Sequence, residues 1–194
     1  MNKFDYRFSA AEMAEFKSMI GKKMVKFKCD PFEFSTAVYG IVGVAFEDSS
    51  YAFTNQTEVL DYYGTQEDVA LFKMQRTPYC DIRSMIQDQK MVETPVDSVV
   101  SDIILVNERQ SLFEKGTQTY EVLIPRGIIF VFEDGHELSF EKSIWFSEDI
   151  SVERGYHLID RFAPTSEFVE GWSGDYRGEC SREVLSLKDI DVTP

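Results

Sequence analysis

The chain of 194 residues is poor in the side chains on which most recognisable active sites depend. It has two histidines, His136 and His157, and three widely spaced cysteines, Cys29, Cys80 and Cys180. An odd number of cysteines without a Cys-x-x-Cys pair argues against a disulfide framework and against a zinc site of the usual spacing. The sequence also lacks a nucleophile elbow, a phosphate-binding loop, a dinucleotide-binding glycine pattern, a metalloprotease motif and a calcium loop. We therefore predict buried free thiols and no cofactor.

Long hydrophobic runs are absent as well. The longest, such as residues 127–132, are far shorter than the roughly 18 residues that a membrane-spanning helix needs. The N-terminal stretch MNKFDYRFSAAEMAEF does not have the basic and then apolar design of a signal peptide. We expect a cytoplasmic protein that does not enter a membrane. Its hydrophobic content of 43% is enough for a buried core, so disorder is disfavoured.

Basic residues are scarce and unevenly distributed, and the net charge is −14. Residues 1–28 hold seven Lys and Arg against three Asp and Glu, whereas residues 29–194 hold 13 against 31. Residues 29–72 contain eight carboxylates and no Lys or Arg. This charge balance disfavours direct binding to nucleic acid and to anionic membranes.

Apolar periodicity predicts one helix followed by many strands. Ser9 and Glu12 have the spacing of a capping box, and Met13, Phe16 and Ile20 form one apolar stripe, so we predict a helix from Ser9 to Ile20. From residue 23 the period changes to two, which is typical of half-buried strands. The strand-like segments are MVKFKC, VYGIVGVAF, YAFTNQTEVLDYY, DVALFKMQR, residues 103–106, QTYEVLI, GIIFVF, HELSFEKSIWF, YHLIDRF and EVLSL. Residues 79–92 suggest a short helix with Ile82, Met85 and Ile86 inward, and APTSEF and EGWSGDYRGE suggest loops.

No linker divides the chain, so we predict one compact α+β domain over residues 1–194. Its main element is a mostly antiparallel β-sheet or a partly open barrel, with the helix at the N-terminus.

Two segments of the chain nearly match: GIVGVAFEDSSYAF at residues 40–53 and GIIFVFEDGHELSF at residues 127–140. Each has the pattern of a β-hairpin with an acidic turn. In the later hairpin we expect Gly135 in a left-handed turn position and the pairs Phe132–His136, Phe130–Leu138 and Ile128–Phe140. In the earlier one we expect an Asp48–Ser49 loop with Phe46 opposite Tyr51 and Val44 opposite Phe53. The buried faces would be Ile128, Phe130, Phe132, Leu138 and Phe140, and Val42, Val44, Phe46, Tyr51 and Phe53.

The match extends weakly into two halves, residues 23–95 and 96–170. A duplication is one explanation, and similar hairpins arising from a similar composition are the other.

The acidic segments give the leading functional hypothesis. Carboxylates without nearby cations attract and steer a basic partner. We predict a non-enzymatic interaction protein that occupies a basic site on a nucleic-acid-binding protein or nuclease, as a nucleic-acid mimic of the anti-CRISPR or immunity type would. The predicted partner-binding residues are Glu47, Asp48, Glu58, Asp61, Glu67, Asp68, Glu133, Asp134, Glu148 and Asp149.

Several alternatives stay open at this point. An acidic surface also keeps a protein soluble without any partner. Trp172 and Tyr176 in EGWSGDYRGEC fit a small-ligand or glycan-binding β module, and an enzyme would need His157, a cysteine or two carboxylates to converge in a pocket. A homodimer could form if a lysine cluster met the acidic region of a second copy; these lysines are Lys22, Lys23, Lys26 and Lys28.

Overall fold

The computed structural model describes residues 1–144 and 146–190. In chain order, the described residues form β1 Asn2–Asp5, α1 Ala10–Lys17, β2 Lys23–Cys29, β3 Ala37–Tyr39, β4 Ile41–Phe46, β5 Ser50–Tyr62, β6 Thr65–Arg76, a 3₁₀ turn Tyr79–Asp81, β7 Val92–Glu114, β8 Thr117–Phe132, β9 Glu137–Lys142, β10 Asp149–Gly155, a 3₁₀ turn Leu158–Arg161, α2 Ser166–Glu170 and β11 Tyr176–Ser186.

The strands form one open sheet that does not close into a barrel. Nine of them follow the order β3-β10-β9-β8-β7-β2-β4-β5-β6, while β1 pairs with β8 and β11 pairs with β7. The β1–β8 pair is parallel and the other pairs are antiparallel. The predicted fold class is therefore confirmed, and of its two forms the open sheet is the observed one. Among the described residues, no helix is long and apolar enough to cross a membrane.

The sheet contains two four-stranded meanders that meet at their first strands. One is β2-β4-β5-β6 and the other is β7-β8-β9-β10, and β2 pairs with β7 between them. The sheet curls so that the apolar faces of both meanders share one core, in which the Phe53 ring lies 5.9 Å from that of Phe130 and 5.3 Å from that of Phe140. The two meanders have the same strand order, but common ancestry of residues 23–95 and 96–170 stays a prediction.

The later hairpin has the predicted register, and the earlier one does not. In β8–β9, Ile128 pairs with Phe140 and Phe130 with Leu138, and Gly135 has φ of +82°. In β4–β5, however, the turn is Glu47–Asp48, because the Phe46 N–H donates to the Ser49 carbonyl at 2.8 Å.

In this earlier hairpin, the observed register differs from the predicted one by two residues, so Val44 pairs with Tyr51 rather than with Phe53. A shift of two keeps every side chain on its face. Both predicted apolar faces are consequently buried in the shared core.

Helix α1 begins as predicted and ends earlier than predicted. Both bonds of the Ser9–Glu12 capping box are present, and Phe16 is buried. The helix stops at Lys17, and the chain turns through Gly21, which has φ of +84°.

Four other predicted elements were wrong. Residues 79–92 form a single 3₁₀ turn instead of an amphipathic helix, and Ile86 is 47% exposed. The segment YHLIDRF is a 3₁₀ turn and not a strand, because Leu158 and Phe162, four residues apart, both pack against Val106 and Ile129. The stretches predicted as loops contain α2 and the beginning of β11.

Candidate functional site

The structure brings the two acidic hairpin turns to the same end of the molecule. Residues 47–48 follow Phe46, which pairs with Met24 at the beginning of β2. Residues 133–134 are held against β7, where the Glu133 N–H donates to the Val99 carbonyl at 3.0 Å. Val99 pairs with Lys23 in strand β2, and Lys23 directly precedes Met24. Both turns are therefore held next to the beginning of β2. We call residues 47–48 and 133–134 the junction turns, since they flank the junction of β2 and β7.

One carboxylate in each junction turn has a partner within the chain. Asp48 accepts hydrogen bonds from Lys22 Nζ, at 3.0 Å, and from Ser49, and both lower the pKa of its carboxyl. Asp134 accepts from the His136 backbone N–H at 3.0 Å and lies 3.1 Å from His136 Nδ1, and these contacts lower its pKa. Both aspartates therefore remain ionised well below neutral pH.

The other carboxylate in each junction turn faces solvent. Glu47 and Glu133 are exposed, and neither has an ion pair or a side-chain hydrogen bond within residues 1–144 and 146–190. The junction turns thus present four carboxylates, two of them without neutralisation by a described residue.

Four more of the predicted residues lie on the outer half of the β5–β6 hairpin. Glu58 pairs with Lys73, and Asp61 accepts from the Gly64 N–H at 2.9 Å in the hairpin turn. Glu67 and Asp68 have no ion pair in the described part of the chain. At about 3.3 Å per residue, the eight residues from Ser50 to Glu58 put this group roughly 26 Å along the strand from the first junction turn.

Of the last two predicted residues, Glu148 connects separate strands and Asp149 makes a local contact. Glu148 accepts from the Thr57 backbone N–H at 2.8 Å, from its hydroxyl at 3.0 Å and from the Tyr39 hydroxyl, and these bonds, led by that from Tyr39, lower the pKa of its carboxyl. Asp149 accepts from the Ser147 hydroxyl at 2.8 Å. Sequence periodicity gave no sign that Glu148 would connect β10 with β5.

The lysine cluster is engaged within the chain. Lys22 pairs with Asp48 at 3.0 Å, Lys23 with Asp97 at 3.2 Å and Lys26 with Glu93 at 2.6 Å. Lys28 is buried and donates to the Tyr79 carbonyl at 2.6 Å. A homodimer through these lysines stays a prediction. It would require the lysines to leave their partners within the chain and pair with acidic residues of a second copy.

Of the residues considered for ligand binding and catalysis, Trp172 and Tyr176 lie close together, with their ring centres 6.4 Å apart. Trp172 packs closely on Gly178, whereas Tyr176 is 45% exposed.

The three thiols are free, but only Cys29 is buried as predicted, since Cys80 is exposed and Cys180 is half-buried. Burial and the Glu108 charge raise the pKa of the Cys180 thiol to about 12, so this thiol is protonated at neutral pH. His157 is exposed and has φ of +54°. His136 contacts the Tyr156 hydroxyl through Nε2 at 2.9 Å.

A buried ionic cluster is the feature that sequence reasoning missed. Arg126, on β8, lies 2.8 Å from Glu141, 3.2 Å from Glu167 and 3.9 Å from Glu108. Burial opposes the charge of Arg126, but the carboxylates, Glu108 foremost, outweigh it and raise its pKa. Arg182 adds a 2.7 Å contact to Glu108. The sequence offered little signal for this cluster, since of these residues only Glu141 lies inside a segment predicted as a strand and Glu167 lies in a predicted loop.

Lys142 is the least compensated member of this cluster. It is fully buried, donates to the Ser143 carbonyl at 2.9 Å and lines a cavity of about 10 Å³ with Glu108 and Arg126. Burial, assisted by repulsion from Arg126, lowers the pKa of its amine to about 7. A cavity of this size has room for about one water molecule, so it is too small for a substrate.

Comparison with known proteins does not assign the chain to a family. No protein-family model, no curated protein and no solved structure matches it. Within the described residues, no group of three or more His, Cys, Asp and Glu side chains is arranged to hold a metal ion.

Proposed function

We propose that this protein is a non-enzymatic acidic interaction protein that occupies a basic site on a partner protein. The observation that supports this proposal is the convergence of the two junction turns at one end of the molecule. Residues 47–48 and 133–134 are 85 positions apart in the sequence, yet both flank the β2–β7 junction.

The electrostatics of this end fit a partner with a dense positive potential. Self-repulsion among carboxylates opposes folding, whereas the same field accelerates association with a basic site by orders of magnitude at low salt. Clefts that bind nucleic acid supply such a potential, since they neutralise phosphates with Lys and Arg. The partner class is therefore a nuclease or another nucleic-acid-binding protein, and the protein acts as a mimic of its nucleic acid.

The test is a cleavage assay with a panel of purified nucleases, RNA-guided nucleases included, at low and at near-molar salt. We expect the wild-type protein to inhibit at least one of them, in competition with its nucleic acid, and to lose this inhibition steeply as salt rises. Absence of inhibition and binding at low salt across the panel, or binding that does not respond to salt, contradicts the proposal.

Two variants with the same change in charge identify the surface. The junction variant carries Glu47→Gln, Asp48→Asn, Glu133→Gln and Asp134→Asn. The distal variant carries Glu58→Gln, Asp61→Asn, Glu67→Gln and Asp68→Asn. We expect the junction variant to bind at least about tenfold more weakly than the distal variant, which corresponds to about 1.4 kcal/mol. Equal losses would show that total charge, and not the junction turns, governs binding.

A further inference from the structure

Strand β11 lies at an edge of the sheet and is long and regular. It pairs with β7 over all of its eleven residues, and the register between the two strands contains no bulge. None of these residues is proline or lysine. Edge strands that avoid pairing with other chains are commonly short, bulged or covered, or carry lysine or proline. β11 therefore lacks several of the features that protect a sheet edge.

Alternate residues of β11 direct their backbone groups away from β7. In an antiparallel pair, opposed residues that exchange hydrogen bonds alternate with opposed residues that do not. At the two ends of this ladder, the Lys115 N–H donates to the Asp175 carbonyl and the Leu187 N–H donates to the Ile103 carbonyl, both at 2.9 Å. Odd-numbered residues of β11 therefore bond to β7, and even-numbered residues point outward. Outward N–H and C=O groups without a partner among the described residues belong to Gly178, Cys180, Arg182 and Val184.

This outer edge is accessible to another chain. A groove of about 550 Å³ runs along it, lined in part by Gly178 and Cys180, with Val169 of α2 beside them. Farther along the strand, Val184 is 48% exposed.

The other described edges of the sheet are less suitable. In β6, the four consecutive residues 69–72 are each at most 6% exposed, so the middle of that edge is covered. β1 and β3 have only four and three residues. Among the described edges, β11 is thus the one at which a further strand could add over a useful length.

The side chains of β11 are complementary to those of a second copy of the same strand. Two copies related by a two-fold axis pair antiparallel, so each register is defined by the residue on the axis. With Cys180 on the axis, Arg177 of each copy lies opposite Glu183 of the other. With Glu179 on the axis this glutamate opposes itself, and with Ser181 on the axis Glu179 opposes Glu183. Opposite charges across a strand pair stabilise it and like charges destabilise it, so charge favours the register centred on Cys180.

The same register satisfies the outward backbone groups. Gly178 lies opposite Arg182 of the second copy and Cys180 lies opposite Cys180, and each of these pairs can exchange two hydrogen bonds. Arg177 and Glu183 fall in the intervening pairs, in which Cα atoms are only about 4.5 Å apart. Their side chains are 57% and 51% exposed, so both are available for this contact.

We propose that β11 is a homodimer interface at which two copies pair antiparallel around Cys180 and extend the sheet across both molecules. Each copy contributes a single strand, so the interface is small and the dimer is reversible. The interface does not involve the lysine cluster or the junction turns, and it is independent of the proposed function.

Sedimentation equilibrium of the full chain from about 1 to 500 µM tests the dimer. Moderate salt is used, because it screens the repulsion between two acidic molecules. We expect monomer at the lowest concentrations and dimer at the highest, with no larger species, since a two-fold contact closes on itself. A monomer at every concentration overturns the inference, and so does growth beyond the dimer.

Charge variants test the register. Arg177→Glu should weaken the dimer at least about tenfold more than Arg83→Glu, because each dimer contains the Arg177–Glu183 pair twice. Arg83 is the matched control, since it is an exposed arginine outside β11. Combining Arg177→Glu with Glu183→Arg should restore most of the affinity, because opposite charges again face each other. Equal weakening by the control, or a combined variant no tighter than Arg177→Glu alone, overturns the register.

Backbone variants test the strand pairing. Cys180→Pro removes an N–H that points away from β7, and proline is tolerated at such edge positions, so the monomer should fold and the dimer should be lost. Cys180→Ala keeps the N–H and should dimerise as the wild type does. A dimer that survives Cys180→Pro overturns the inference.

Amide hydrogen exchange of the wild type decides the question if the proline variant does not fold. The amides of Cys180 and Arg182 should become protected as the protein concentration rises. The amides of Ser181 and Glu183 bond to β7 and should be protected at every concentration. A dimer in which exchange at Cys180 and Arg182 is as fast as in the monomer contradicts the proposed pairing.

Discussion

Lys142 shows how one side chain sets a pH dependence for the whole fold. Its amine has a pKa of about 7 in the folded protein because it is fully buried, against about 10.4 in an unfolded chain. Between these two values the unfolded state binds more protons than the folded state. The contribution of Lys142 to the free energy of unfolding therefore increases as pH rises from about 7 to 10, and below pH 7 the full penalty of burying the charge applies.

The corresponding prediction concerns Lys142→Met. This substitution keeps the side-chain volume and removes the buried charge, so we expect the free energy of unfolding at pH 7 to rise by about 2–3 kcal/mol. The stability difference between the variant and the wild type should shrink by about 2 kcal/mol between pH 7 and 9. The thiols of Cys29 and Cys180, whose pKa values burial raises to about 12, lower the free energy of unfolding of both proteins alike above about pH 8.5. Urea denaturation at a series of pH values measures both effects. Lys90→Met, at an exposed lysine, serves as the control and should keep the wild-type pH dependence.

Single residues of the site differ in how far the sequence could define them. Charge counts identified Glu47 and Glu133 as acids in hairpin turns, and both are exposed there. The same counts could not separate them from Glu148, whose carboxylate is occupied by Thr57 and Tyr39. Long-range hydrogen bonds decide that difference, and residue type does not encode them.

At the scale of elements, Gly127 is needed for the close approach of β8 and β9. A Cβ atom there would lie 2.3 Å from the Phe140 carbonyl oxygen and 2.9 Å from the Phe162 ring. Backbone atoms within a paired sheet cannot move aside without loss of their own hydrogen bonds. At Gly43, in contrast, a Cβ would meet the side chain of Ile82 at 2.9 Å, which can change its rotamer.

We therefore expect Gly127→Ala to destabilise the protein by about 3 kcal/mol and Gly43→Ala by about 1 kcal/mol, since overpacking in a core typically costs about 1–3 kcal/mol. Chemical denaturation of the two variants and the wild type gives the comparison. A cost for Gly43→Ala equal to or above that for Gly127→Ala would contradict this account of the sheet.

Elements with a strong local signal were predicted well. The capping box gave the first residue of α1, and alternation gave the buried faces of both hairpins. The register of β4–β5 was wrong because Asp48–Ser49 and Glu47–Asp48 are both acceptable two-residue turns and keep the same faces. The segment at residues 156–162 was wrong because its apolar residues pack against Val106 and Ile129, which are remote in sequence.

At the scale of the whole molecule, charge and stability oppose each other. The chain carries a net charge of −14, and some of its acids have ion pairs while others have none among the described residues. Like-charge repulsion destabilises a compact state and is screened by salt. Acids retained in spite of this cost are consistent with the proposed partner.

Removal of unpaired acids should accordingly stabilise the protein. A variant with Glu47→Gln, Glu67→Gln, Asp68→Asn and Glu133→Gln should melt a few degrees higher than the wild type at low salt, where about 1 kcal/mol corresponds to roughly 2–4 °C at this size. This increase in melting temperature should be smaller in high salt, because salt screens the repulsion between the acids. The matched control has the same change in charge at engaged acids, Asp48→Asn, Glu58→Gln, Asp134→Asn and Glu148→Gln, and should gain less or lose stability. If thermal melts gave the two variants the same increase in melting temperature, the pairing of individual acids within the chain would not matter for stability.

The sequence by itself determined the fold class, the helix start, the apolar faces of the hairpins and the acidic character of their turns. These follow from local periodicity, capping chemistry and charge, which depend on neighbours in the chain. The tertiary structure decided that the two acidic turns flank one junction and that Lys142 and Arg126 are buried together with Glu108 and Arg182. Each of these depends on the pairing of β7 with β2, β8 and β11, and such pairing is fixed by contacts between residues far apart in the sequence.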